Sequence, residues 1–331
     1  ADCRAAMNVV PPLSPGDLPR TKNYSPWATL HPHYWEPIVT QSTGSGTSIG
    51  AATSGYDVIG RHSYYAQATF NTKYDETEGY AAYQYAGFGQ PYLNFDVSQE
   101  WEHFGVFTNA GVHVGDLARR AQIGGASVSF SRPRVRTFAS LALGAELESR
   151  SYSTSPDTLI SHLSDLFSDT HRYPSVFASA SWSNTRRAAL SISREDGVSL
   201  SATVRDRWET GGFSDARQSV VGVAAMYKKL DLPGFAHHVI ALTGAAGYRD
   251  DQATDYFEVG GASGTSHQLA PGIVLGQGRR TFPVRGFQPA SLIGTQAYAA
   301  SAEYRLPLAL TDGGWGLVPY FLDRSSVSVF Y

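Results

Sequence analysis

The residues able to do chemistry in this chain are few, and several gather in one stretch. Arg279, Arg280 and Arg285 share a segment with Thr281, Phe282, Pro283, Val284, Gly286 and Phe287. A guanidinium is a permanent cation with a planar fork of donors, so it binds a carboxylate through paired bonds that Lys does not reproduce. Downstream, Glu303 and Arg305 fall on one side of an alternating segment, where either can meet that loop or the two can pair with each other. Catalytic signatures are missing: no G-x-S-x-G elbow, phosphate-binding loop or dinucleotide fingerprint occurs. His31 and His33, near Trp35 and Glu36, stand two apart in a Pro-rich stretch without a convincing third ligand, so no metal is read there. His237-His238 opens a strand and reads as interfacial, and Gly260-Gly261-Ala262-Ser263-Gly264 reads as flexible loop. Cys3 is the one cysteine, which excludes an internal disulfide and a cysteine-based zinc site; it reads as an incidental thiol or, alternatively, a lipid anchor. These readings imply no enzyme, no cofactor and no metal.

The elements that must position these groups are strands. The 331 residues include 33 Gly and 17 Pro, too many breakers for long helices, and only 17% are charged against about 25% in an ordinary soluble domain. A net charge of −3 argues against a generally basic nucleic-acid binder. No apolar run is long enough for a transmembrane helix, but a β-barrel crosses with alternating residues instead. Residues 1–33 hold Pro11, Pro12, Pro15, Pro19, Pro26 and Pro32, and read as an extended linker. Beyond them, alternating segments recur between turn clusters. Strands are expected near 34–40, 46–55, 62–72, 78–88, 91–104, 119–131, 136–150, 173–183, 187–208 (one strand or two), 217–230, 237–248, 295–308 and 316–331. Leu159, Ile160, Leu163, Leu166 and Phe167 carry helical spacing, which predicts a short helix over 157–168.

The two faces of these strands differ in kind. Tyr298, Ala300, Ala302, Leu306 and Leu308 alternate with Ser301, Glu303 and Arg305; Leu141, Leu143 and Leu147 alternate with Ser140, Glu146 and Glu148. A soluble sandwich packs its inner layer with Val, Ile, Leu and Phe. Charges repeated in mid-strand suit a wet lumen, and Trp101, Trp182, Trp208, Tyr304 and Tyr320 near strand ends suit interfacial girdles. The expectation is an all-β, transmembrane, antiparallel up-and-down β-barrel, with a soluble all-β domain as the rival.

The stretch 249–294 is long, rich in Gly, Ser and Gln, and ends in Val284-Arg285-Gly286-Phe287. Loops of this length without structure of their own are functional or disordered. With the strand ending Glu303-Tyr304-Arg305-Leu306-Pro307 after it, the pattern over 34–331 resembles the C-terminal barrel of the bacterial surface antigen superfamily, which holds outer-membrane assembly factors and two-partner secretion transporters. The resemblance implies a loop folded into the lumen, with Arg285 latched to an inner-wall acid that in the family's pattern would lie beyond Tyr331. Gly286 is expected to allow the tight turn and Phe287 to pack on the wall. Within this chain Glu303 and Arg305 are the candidate lumen partners, a salt bridge between the two being the structural alternative. It further implies a non-enzymatic role at the bacterial outer membrane, among its lipids, inserting or translocating unfolded polypeptide clients. A membrane anchor or solute pore for a fused periplasmic domain is the alternative. Tyr24-Ser25-Pro26-Trp27 through Pro37, followed by Gly60-Arg61-His62-Ser63-Tyr64, resembles the junction where a TolB-type β-propeller precedes such a barrel, making 1–33 a linker from a periplasmic domain. The family closes at sixteen strands while about thirteen are read here, so the expectation is a chain truncated at its C-terminus; the rival is a natural end at Tyr331.

Overall fold

The computed structural model describes residues 24–42, 46–107, 113–154, 170–210, 217–250, 257–260, 267–270, 273–275, 281–285, 287, 291–314, 316 and 321–331. Gly286, Tyr320, Cys3 and the helix expected over 157–168 lie outside them, as does Gly261-Ala262-Ser263-Gly264. After a single helical turn, α1 (Trp27–Leu30), the chain runs through β1 (Glu36–Ser42), β2 (Gly46–Tyr56), β3 (His62–Asn71), β4 (Glu76–Tyr85), β5 (Tyr92–Phe107) and β6 (His113–Pro133). It continues through β7 (Phe138–Thr154), β8 (His171–Ser183), β9 (Gly197–Arg207), β10 (Arg217–Leu230) and β11 (His238–Arg249). Five short strands follow: β12 (Phe257–Val259), β13 (His267–Ala270), β14 (Ile273–Leu275), β15 (Thr281–Phe282) and β16 (Leu292–Gly294). Two long strands, β17 (Gln296–Gly314) and β18 (Phe321–Phe330), complete the described elements.

One sheet of 13 strands takes β1 to β11 in chain order, then β17 and β18, every neighbour antiparallel. Chain-order pairing is the meander of an up-and-down barrel, and it places successive connections at opposite ends. At what we call the arm end lie α1 and the connections 57–61, 86–91, 134–137, 184–196 and 231–237; the loop end carries the connection from β11 to β17.

Side-chain alternation then sorts the residues. On the outer face Leu141, Leu143, Leu147, Val176, Trp182, Leu200, Val204, Ile240, Leu242, Val327 and Val329 are exposed. On the inner face Ala142, Glu148, Arg150, Ser175, Val239 and Ala241 are buried. This is a water-soluble domain turned inside out. Large apolar side chains exposed on the same face of strand after strand are what a soluble monomer avoids, and they match the outward band of a membrane barrel.

Three expectations about elements are corrected. The span 187–208 holds one strand, 197–207, because Arg186-Arg187 and Arg194-Glu195-Asp196 break the alternation; the part before it is a connection carrying an isolated bridge between Arg186 and Asp196. The connection after β11 has short strands of its own, β12 pairing with both β15 and β16. In the Pro-rich arm, α1 is helical where extended chain was expected, since Pro26 takes helical φ/ψ at its start and its carbonyl accepts the Leu30 amide at 3.0 Å.

The arm is tied to the barrel at the turn after β2. Asp57, fully buried, accepts hydrogen bonds from the Tyr24 hydroxyl and, at 2.8 Å, from the His62 amide. Burial works against its charge, but these bonds, with another from the Arg61 amide, outweigh it and hold the Asp57 carboxyl below its ordinary value. A depressed carboxyl contributes stability above its unfolded-state pKa, near 4, and loses it as pH falls through the lower folded value. Between pH 7 and 5 the arm should therefore stay docked, with release only below about pH 4. Proteolysis of the 24–34 segment across that range tests this, and Asp57→Asn should give the acid-released pattern already at pH 7.

Candidate functional site

The inner wall of β7, β8 and β9 carries a charged network set by register. Glu146 stands beside Ser175, which stands beside Arg207; Glu148 pairs with Tyr173, and Phe177 with Arg205. Because Ser175 is small, groups two strands apart meet across it. Arg205 forms an ion pair with Glu146 and also donates to the Ser175 hydroxyl at 3.1 Å. Glu148 is shared by Arg150, whose Nε lies 2.7 Å away, and Arg207. Both of those guanidinium groups lie over the Tyr173 ring, at 4.8 and 4.4 Å. Every group in this cluster is engaged.

At the loop end, β12 and β15 of the β11–β17 connection lie against the inner wall. Phe257 and Phe282 meet edge to face at 5.2 Å and pack on Ala297, Ala299, Ala245 and Val221, whose register puts them on the inner wall. Gly247 makes this approach possible: a Cβ there would lie 2.7 Å from Phe282 and 2.9 Å from Phe257. The Arg249 guanidinium covers the Phe257 ring at 4.6 Å.

Arg285 follows two residues after Pro283. Its guanidinium nitrogen is 3.4 Å from Glu303 Oε2, while Arg305 holds the same oxygen at 2.9 Å. Its cationic carbon also sits 4.5 Å over the Phe330 ring. The structure thus brings Arg285, Glu303 and Arg305 together, with Val284 beside them. Phe287 is a correction: it is 64% exposed and does not pack on the wall. The wall contact belongs to Phe257 and Phe282, which the β12–β15 pairing holds in place; Phe287 comes after the turn, its amide 3.4 Å from the Val284 carbonyl.

At the arm end, the 184–196 connection also turns inward. Arg324, on the inner face of β18, donates to the carbonyls of Ala189 (3.3 Å) and Ser191. His237, on the inner side of the β11 start, lies 3.1 Å from the buried Glu195. A cavity of about 610 Å³, lined by residues such as Leu190, Glu195, Leu232, Phe235 and His237, remains between this connection and the 231–237 turn. Sequence reasoning missed this closure. The signal available was the dense charge of 186–196, which no lipid-facing strand tolerates. His238, by contrast, meets the Tyr304 hydroxyl at 2.5 Å on the outer face. His31 and His33 lie against each other, ring centroids 4.2 Å apart, and each also meets a nearby backbone carbonyl; no metal-holding cluster occurs among the described residues.

Together, the meander, the apolar outer face and the charged inner wall define the fold of a transmembrane antiparallel β-barrel, with the sheet open among the described residues, β1 and β18 being its two edges. No protein-family description matches the chain, and no curated protein matches it. Among solved structures it is similar to BamA from Haemophilus ducreyi lacking POTRA domains 1–3, at 17% identity and a TM-score of 0.50, over 88% of this chain and 56% of that one. It is also similar to CdiB from Acinetobacter baumannii, at 11% identity and a TM-score of 0.49, over 90% of this chain and 59% of that one. The chain therefore spans a little over half the length of these structures.

Proposed function

We propose that this chain is an outer-membrane barrel of the surface-antigen type whose role is to insert or translocate polypeptides, without catalytic chemistry or a cofactor. One observation carries the reading. The described parts of the β11–β17 connection that carry Phe257, Phe282 and Arg285 lie against a charged inner wall and are held there by non-covalent contacts, the two rings on the wall and Arg285 at Glu303. A static pore gains nothing from a removable plug, whereas a polypeptide passing through or beside the wall needs one. The fold likeness to BamA supports the architecture.

The test is insertion of a urea-denatured β-barrel client into vesicles holding the full chain. Protease protection of the client should appear several times faster than in empty vesicles. Equal rates with and without the chain would remove the polypeptide role. A second reading, a membrane anchor with little transport, is favoured by the 184–196 connection reaching inward at the arm end to Arg324 and His237. It predicts the equal rates just described together with negligible solute leakage. A soluble all-β domain would instead stay out of the vesicles altogether.

A further inference from the structure

The arm-end rim carries an unbalanced charge. Its described acids are already engaged: Asp57 by Tyr24 and His62, Glu195 by His237, Asp196 by Lys228 at 3.9 Å, Asp231 by Lys229 at 3.2 Å, and Asp323 by Arg324 at 2.6 Å. Its exposed arginines are not. Among the described residues, Arg61, Arg132, Arg134 and Arg136 are exposed and make no ion pair. The field left over is positive.

Depth matters as much as sign. Phe130 faces outward and is 42% exposed, so it belongs to the apolar belt. Arg132 is two residues further along the same strand and face, about 6–7 Å on, and less in depth because barrel strands tilt. That is where headgroup phosphates lie. Beyond it the 134–137 turn closes on an Arg134 amide bond to the Thr137 carbonyl at 2.7 Å, leaving Val135 fully exposed between Arg134 and Arg136. The neighbouring 86–91 turn is fastened alongside by Gln90, whose Oε1 accepts the Ser131 amide at 3.1 Å, and it presents Phe88 at 64% exposure. Exposed apolar tips beside unpaired guanidinium groups suit neither plain water nor acyl chains. They suit the boundary between the two.

Resting on the membrane-barrel reading above, we propose that this rim binds anionic phospholipid headgroups. Arg132, Arg134 and Arg136 contact phosphate, while Val135 and Phe88 sit in the interfacial layer. Charge complementarity selects an anionic lipid, since a zwitterionic headgroup offers no net charge to balance the rim. Paired Arg–phosphate geometry gives the contact direction as well as attraction.

Trp182 reports on this site, because it is exposed on the outer face and registers with Ala139, close to the turn. The full chain is folded into vesicles of phosphatidylcholine containing phosphatidylglycerol, one or other lipid brominated, and quenching is read as the difference from Trp182→Phe. The wild type should favour phosphatidylglycerol over phosphatidylcholine by about fivefold or more, the scale expected for even one basic residue at an anionic surface. The triple variant Arg132→Gln/Arg134→Gln/Arg136→Gln should bring the ratio near one, as should 0.5 M salt. Equal quenching by both lipids in the wild type overturns the rim assignment while leaving the barrel in place. Quenching by neither lipid overturns the membrane reading on which it rests.

Discussion

Glu148→Ala should lower the unfolding free energy of the barrel by about 3–5 kcal/mol, the cost typical of removing one partner from a buried ion pair. The reason is the company Glu148 keeps. Its side chain is 9% exposed, that of Arg150 2% and that of Arg207 13%. Both guanidinium groups converge on the one carboxylate and on the Tyr173 ring. Without the carboxylate, two cations face each other in a space that water barely reaches. Glu148→Gln keeps the shape and one acceptor oxygen but loses the charge and sets an amide donor against one of the two guanidinium groups, so its cost should fall between wild type and Ala. Adding Arg207→Gln to Glu148→Ala should recover part of the loss, because the pair is coupled and the double-mutant cycle isolates that coupling. Equilibrium urea unfolding in lipid vesicles, followed by tryptophan fluorescence, measures all three. A Glu148→Ala cost below about 1 kcal/mol would mean that lumen water screens the cluster as it screens a surface pair.

Much of this architecture was legible in the sequence because a membrane barrel writes it twice, once in each face. Leu141, Leu143 and Leu147 against Ser140, Glu146 and Glu148 announced both a strand and which side met lipid, and the structure exposes the former and buries Glu148. Thirteen strands were anticipated and 13 form the sheet. Where alternation failed, legibility failed with it. The 184–196 connection has no period, and its inward course depends on Arg324, more than 130 residues away, reaching the Ala189 carbonyl. No local pattern encodes that meeting. In the same way, the motif drew attention to Phe287, while the buried anchors are Phe257 and Phe282. Those two stand in loop sequence without a period, and the match between them and the bare inner wall at Gly247 exists only in three dimensions. The proximity of Arg285 to Glu303 was within reach of sequence reasoning, because parity alone puts Glu303 and Arg305 on the inner face.

The inward loop is held mainly by its aromatic anchor, and the second large effect follows from that ranking. Phe257 and Phe282 are 0% and 3% exposed, and truncating such a residue costs about 3–5 kcal/mol. The Arg285 side chain is 40% exposed and its contact with Glu303 is long, at 3.4 Å, so that pair is worth about 1 kcal/mol at most. Stacking over Phe330 adds an amount of order 0.5–1 kcal/mol. Glu303 also keeps Arg305 when Arg285 is removed, so no buried charge is stranded. Each 1.4 kcal/mol multiplies the population of the lifted loop tenfold. Phe257→Ala should therefore raise that population by more than about a hundredfold, and Arg285→Ala by about five- to thirtyfold. A cysteine placed at Ala297, 3% exposed beneath the two rings, reads the population directly in a Cys3→Ser background. Its labelling rate by a water-soluble maleimide, with the barrel in vesicles, should rise in that order. If Arg285→Ala exceeded Phe257→Ala, the arginine would be the principal hold and the aromatic pair mere filling. Equal and unchanged rates in both would mean that the remaining contacts of the loop, including the β12–β16 pairing, fix it without either.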